Sequence, residues 1–461
     1  MKSRTQWSFL ILASLLTAVM LYAAVTRWGQ IRNWFERERF DTKALAELEL
    51  TKFVSKKTPD ASAGWPQWRG PNRDGVAPAG PFRTDWKTNP PKVLWTAPCA
   101  GGYSQPIVFD GHVYLHDAEN GRERLRCWDI DRGELKWEHT DAVDYSGFKL
   151  GYGSGPRATP TIHEGRIYTL GATGLFQCFS LPQGKETNPT LLWKHDLLTE
   201  FSAPMPSWGV ASSPLIVEDK VVVQPGGKSG SIAAFHRETG RKLWSAGSDP
   251  SGYSSPIFVK RKDEQSIIAV TGRSVLGLSD AGEIQWSVPF VTQFDGNIAT
   301  PISVDDYVFV SSNYGKGCAL FRVFLRGSGS IPAQEIYFRK NRVMSNHHST
   351  CVYKMGFLYG YDGEELVCVD LKKGERVSEW HATDDEGREF AKGSLTLKDG
   401  NLVGLTQTGT LFLGTADSKE FTFLGQVKNV LKGRECWTSP VIVDGRIYLR
   451  DAEKLVCLDV G

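Results

Sequence analysis

From Trp65 to Gly461 the chain alternates short apolar runs with polar turns, and the alternation repeats. Each unit opens on a small residue, a polar residue and usually proline. The copies are Ser104-Gln105-Pro106, Ala158-Thr159-Pro160, Ser212-Ser213-Pro214, Ser254-Ser255-Pro256, Ala299-Thr300-Pro301 and Thr438-Ser439-Pro440. Ser349-Thr350-Cys351 lacks the proline, and Ser394-Leu395-Thr396 is degenerate. A short apolar strand follows, then a turn such as Asp110-Gly111, Glu164-Gly165, Asp399-Gly400 or Asp444-Gly445, then a second strand. Units close on a polar turn and an aromatic residue, as in Trp128–Trp137, Phe235–Trp244, Leu278–Trp286 and Val369–Trp380. Leu191-Leu192-Trp193 is a stretched version, and Tyr337 and Phe423 stand in for tryptophan in units five and seven.

Eight openings make about 50 residues per unit, the length of a four-stranded propeller blade. The last unit stops at Val460, before any closing aromatic element. That element stands instead at the other end of the region, as Lys92-Val93-Leu94-Trp95. A strand there that completes the final blade removes an exposed sheet edge and ties the ends of the ring together. The pattern predicts an all-β fold, an eight-bladed propeller of four-stranded antiparallel blades closed by an N-terminal strand.

The first residues follow a different pattern. Lys2 and Arg4 precede an uncharged run from Ser8 to Val25 that ends at Arg27. As a helix that run would be about 27 Å long, near the lower limit for crossing a bilayer. Residues 1–26 read as a signal peptide or membrane anchor, with the uncleaved anchor preferred. Residues 27–64 are charged, with apolar positions at loosely helical spacing, and read as a stalk and linker. Residues 65–461 are the propeller.

Composition adds exclusions. Glycine (47) and the aromatic residues (11 %) suit turns and short strands, and a hydrophobic share of 41 % excludes disorder. Lys+Arg 54 against Asp+Glu 52 leaves +2, which implies no large basic field, so nucleic acid is not an expected partner.

The turn-plus-tryptophan element resembles the tryptophan-docking motif of quinoprotein dehydrogenases, whose eight-bladed propellers bind pyrroloquinoline quinone. The whole region is similar to the PQQ-like repeat family of exported bacterial proteins. Its marks here are Trp65–Gly75 (WPQWRGPNRDG), Gly155–Pro160, Trp208–Pro214, Asn346–Thr350 and Tyr448–Val460. The same repeat resembles BamB-type propellers, which are not enzymes. The dehydrogenase resemblance implies adjacent cysteines in a ring against the quinone and a Glu, Asn and Asp set for calcium. Cysteines 99, 127, 178, 318, 351, 368, 436 and 457 include no adjacent pair, and no Cys-x-x-Cys-His is present for haem.

Cys127, Cys178, Cys368 and Cys457 hold one strand position in four units and read as small core groups. Cys99 and Cys436, both near the closure, are a candidate disulfide. Gly226–Gly230 (GGKSG) lacks the first glycine of a phosphate loop and reads as a hairpin turn. Neighbouring His347 and His348 would point to opposite faces of a strand and so not share a metal ion. Asp384, Asp385, Glu386 and Glu389 read as a solvated loop between blades six and seven.

Residues just before each inner strand cluster at the channel mouth, and these are the candidate site: Tyr103, Arg157, Trp208, Tyr253, Asn297, His347, His348 and Trp437. No catalytic or metal-binding residue is assigned. The expected function is a non-catalytic, envelope-located interaction scaffold. It would be membrane-anchored with the propeller in the periplasm, or secreted if the signal is cleaved. Envelope or membrane proteins are its expected partners, and no cofactor is expected. The alternatives are a dehydrogenase using pyrroloquinoline quinone with calcium, and a peptide- or glycan-binding module.

Overall fold

A computed structural model describes residues 64–146, 153, 155–261, 264–323, 333–340, 342–433 and 435–461. The apolar run at residues 8–25 and the stalk lie outside these. Among the described residues no helix is long and apolar enough to cross a membrane.

Eight four-stranded antiparallel sheets follow one another along the described chain. Blade one runs outward through Ile107–Phe109, His112–Glu119, Arg122–Asp129 and Leu135–Ala142. Blade eight runs Val441–Val443, Arg446–Arg450 and Lys454–Asp459, and its outer strand is Lys92–Pro98 from the opposite end of the propeller. That strand pairs antiparallel with Lys454–Asp459, Lys92 opposite Asp459 and Pro98 opposite Lys454. The ring closes as the sequence pattern predicts.

The repeat has a physical basis at each position. The hydroxyl in the middle of an opening accepts a hydrogen bond from the backbone N–H at the same place in the preceding blade. Gln105 N donates to Thr159 Oγ1, Thr159 N to Ser213 Oγ, Ser213 N to Ser255 Oγ and Thr300 N to Thr350 Oγ1, each at 2.9 Å. Inner strands bring buried backbone groups together around the channel, and short hydroxyl side chains satisfy them there. The Asp-Gly-type turns put both central residues at positive φ, +47° and +73° at Asp110-Gly111 and +46° and +72° at Asp444-Gly445. This is the tight hairpin geometry that matches strand twist.

The closing aromatic residue of one blade lies against the turn glycine of the next. A Cβ on Gly133 would sit 2.5 Å from the Trp95 ring, and Gly240 and Gly282 meet Trp193 and Trp244 in the same way. Tyr337 stands on Gly374 likewise. Each ring also donates a hydrogen bond across the blade boundary: Trp95 Nε1 to Ile130 O at 3.0 Å, Trp244 Nε1 to Asp280 O at 2.9 Å and Tyr337 Oη to Leu371 O at 2.9 Å. A register shift at the aromatic position recurs in every blade but the sixth. Behind these rings, Cys127, Cys178, Cys368 and Cys457 pair across strands with Tyr114, Tyr168, Tyr359 and Tyr448.

All eight cysteines are buried and free. The candidate pair Cys99 and Cys436 is therefore not a disulfide: Cys99 Sγ donates to Asp451 O and Cys436 Sγ to Gly433 O. Gly226–Gly230 lies between the strands Lys220–Val223 and Ile232–His236, as a turn.

The segment from Trp65 to Ala77 enters the channel and bonds to inner strands on several sides. Trp65 and Val108 exchange backbone hydrogen bonds, Ile162 N donates to Pro66 O, and Leu397 accepts from Ala77 N and donates to Gly75 O. Arg73 reaches Ser213 O and Pro214 O, while Arg69 reaches Thr350 O and Cys351 O. Both guanidinium groups are buried. The stretch quoted above as a family mark, Trp65–Gly75, is thus a plug for the ring.

Candidate functional site

Above the plug the channel widens into a funnel on the face where the inner strands begin. It encloses about 870 Å³, its open mouth included. Trp68 forms the floor with Ser213, Ser255 and Thr350, and Trp68 Nε1 donates to Thr300 Oγ1 at 2.9 Å. Tyr103, Arg157, Trp208, Tyr253, His348 and Trp437, all expected from the sequence, line the wall together with Tyr314 and Ile298.

The wall has two stacked halves. On one, His347, His348, Trp437 and Tyr103 form a column, with ring centroids 3.7, 3.7 and 5.0 Å apart in that order. Arg157 extends it, its guanidinium 5.5 Å from the Tyr103 ring centre. On the other, Trp208 and Tyr314 are near-parallel at 6.0 Å, and Phe294 meets both edge-on. Phe294 and Tyr314 hold φ of +62° and +57°, unfavourable for aromatic side chains. Tyr253 Oη accepts from Trp208 N at 3.3 Å, and Tyr103 Oη donates to Glu435 Oε2 at 2.6 Å.

Three expectations are corrected, the first two because His347 and Asn297 stand one residue ahead of the lining positions His348 and Ile298 and do not line the funnel. Asn297 is buried, and its Nδ2 donates to Thr271 O and Phe290 O at 2.8 Å, binding two loops together. His347 and His348 do not diverge, because they precede the strand Val352–Lys354 instead of lying in it, and their rings stack. Trp68 and Tyr314 complete the lining and were not among the expected residues, nor was Lys392, which stands next to it against His347 and the Trp437 ring. Lys392 lies just before the strand Gly393–Lys398, one residue ahead of the place that Arg157 and Trp437 hold in other blades and level with His347.

Residues 146–379 match the PQQ_2 family, described as outer membrane protein assembly factor BamB. The chain belongs to this family of PQQ-like propellers. No curated protein matches it. Among solved structures, BamB from Moraxella catarrhalis is 12 % identical with a TM-score of 0.53, over 80 % of this chain and 97 % of that one. Quinohemoprotein alcohol dehydrogenase from Comamonas testosteroni is 12 % identical with a TM-score of 0.60, over 88 % and 82 %. The computationally designed Ika8 protein is 12 % identical with a TM-score of 0.51, over 80 % and 98 %. Likeness at this level, shared by a designed protein, establishes the fold alone.

This PQQ-like propeller can be tested for fit to a calcium-held quinone. The aromatic faces and Arg157 suit a flat anion. Among the described residues, however, no three His, Cys, Asp or Glu side chains gather into a cation site. The cysteines are buried separately in the blades, none at the funnel wall. The donor set for that group is not in place among the described residues.

Burial governs the titration of the column. It pushes His347 down to about 4, with Lys392 adding to the effect, and His348 down to about 2, with His347 and Lys392 adding. Both histidines are neutral in the folded protein at pH 7. The unfolded chain takes up these protons near pH 6.5, well before the folded protein does. Their contribution to stability is therefore complete above about pH 6.5 and is lost as pH falls toward about 4 and below. Urea midpoints measured across this window will fall with acidification, and more steeply for the wild type than for the His347→Gln and His348→Gln variants. Equal slopes would contradict burial of neutral histidines.

Proposed function

We propose that this chain is an envelope-located, membrane-anchored PQQ-like propeller that works by binding, without turnover, and serves as an interaction scaffold. The observation that carries the reading is the blind funnel. Trp68 floors it, stacked aromatic rings wall it, and Arg157 lies at one end of the column. Such a surface suits a peptide or glycan segment of a partner, because rigid rings offer large contact area at low entropy cost. Membership of the BamB-like family supports a protein partner, and the apolar run at residues 8–25 supports the anchor.

The test immobilises the full-length protein in detergent and passes solubilised envelope fractions over it, with Trp208→Ala and Trp437→Ala as parallel columns. Retention of a peptide or glycan by the wild type, weakened about tenfold or more by either change, is the expected result. Retention that both variants preserve would remove the funnel from the account.

A further inference from the structure

Lys392, His347 and Tyr314 form a hydrogen-bonded chain that meets the funnel lining at Tyr314. Lys392 Nζ lies 2.5 Å from His347 Nδ1, and His347 Nε2 lies 3.1 Å from Tyr314 Oη. The lysine stem is half-buried, and its Nζ stands 5.9 Å from the centre of the Trp437 ring. An amine, an unprotonated ring nitrogen within hydrogen-bond reach and a third group orienting that ring are the geometry of a positioned nucleophile.

From this arrangement we infer that Lys392 is a reactive amine that captures carbonyl-bearing ligands, aldehydes or ketones, as an imine at the edge of the funnel, beside Trp437. The inference rests on the reading that the funnel takes a ligand. His347 and Tyr314 are positioning residues. With Nδ1 accepting from the amine, His347 carries its proton on Nε2 and donates it to Tyr314 Oη.

In the step, the Lys392 nitrogen lone pair bonds to the carbonyl carbon and the C=O π pair moves to oxygen. Both amine hydrogens pass to that oxygen, the first by way of His347 Nδ1. The C–O bond then breaks and water leaves, giving C=N with nothing oxidised or reduced.

The surroundings keep the amine available. No carboxylate among the described residues forms an ion pair with Lys392. Those facing it are the neutral His347 and His348 and the more distant Glu364 on the blade-six hairpin, which favours the charged form. Burial outweighs Glu364 and brings the lysine down to about 8. A substantial neutral fraction therefore exists near pH 7.5, against about a thousandth for an ordinary lysine.

The experiment treats full-length protein with limiting benzaldehyde and sodium cyanoborohydride, which fixes any imine as a stable N-benzyl group. Mass spectrometry of the digest then compares lysines. The expected result is labelling of Lys392 about tenfold or more faster than exposed lysines such as Lys419 and Lys428 near pH 7.5. Its rate should level off just above pH 8, while the surface lysines keep rising. His347→Gln should slow labelling at Lys392 alone, and Lys392→Met should remove that adduct with no change elsewhere. Labelling at the surface rate in the wild type overturns the proposal, and this arm does not depend on any variant folding. Benzaldehyde reports on the amine whether or not a larger ligand fills the funnel. Slow labelling therefore sinks this proposal alone, and unchanged retention in the tryptophan variants sinks the binding reading alone.

Discussion

Replacing Arg69 with methionine is expected to lower the unfolding free energy by about 4 kcal/mol, with a matching drop in the urea midpoint. Arg69 is buried at 1 % exposure, and its guanidinium donates to four carbonyls: Thr350 and Cys351 on blade six, and Asp74 and Arg73 in the plug itself. Methionine fills much the same volume, yet all four oxygens lose a donor in a place water cannot easily reach. The planar fork is what serves four acceptors, so Arg69→Lys should recover only part of the loss. The plug also makes the funnel floor through Trp68, so ligand retention should weaken in Arg69→Met even where the ring stays folded. A change below about 1 kcal/mol would mean the plug is not pinned by this residue.

The second large effect is expected at the closure. Trp95→Ala should destabilise the protein by about 4 kcal/mol, in the range for burying and then deleting a large aromatic group. The ring packs against the turn at Gly133 and bonds to Ile130 O, so its loss unpins blade eight from blade one. Removing Lys92–Pro98 goes further, leaving the strand Lys454–Asp459 as an open edge able to pair with other chains. Size-exclusion chromatography with light scattering should then show concentration-dependent association, reversed by adding the Lys92–Pro98 peptide. A monomeric deletion variant with wild-type stability would contradict closure by this strand.

Much of the ring is legible in the chain because each feature repeats. The Asp-Gly-type turns, the closing aromatic residues and the missing element of the last unit each recur with one physical purpose, so eight copies reinforce one reading. The channel mouth is legible for the same reason: Tyr103, Arg157, Tyr253, His348 and Trp437 each stand directly before an opening and meet at the funnel, joined by Trp208 from slightly further ahead of its own opening. The features that were not legible occur once. Trp68 belongs to the plug, whose bonds to Thr300, Thr350 and Leu397 span hundreds of residues without periodicity. Tyr314 sits in a hairpin turn at positive φ, outside the repeat position. Lys392 precedes the degenerate opening of unit seven, where proline and its neighbours no longer mark the strand. Asn297 stands one residue ahead of the place directly before its opening, which Ile298 fills, and its amide turns into the loops toward nearby carbonyls.

The central claim is that this propeller binds through its funnel without quinone chemistry. Calorimetric titration of the full-length protein with pyrroloquinoline quinone, with and without calcium, tests it most directly. The account predicts no calcium-dependent heat, since no carboxylate cluster stands ready for the ion among the described residues. Binding at about micromolar affinity or tighter that requires calcium would contradict it and restore the dehydrogenase.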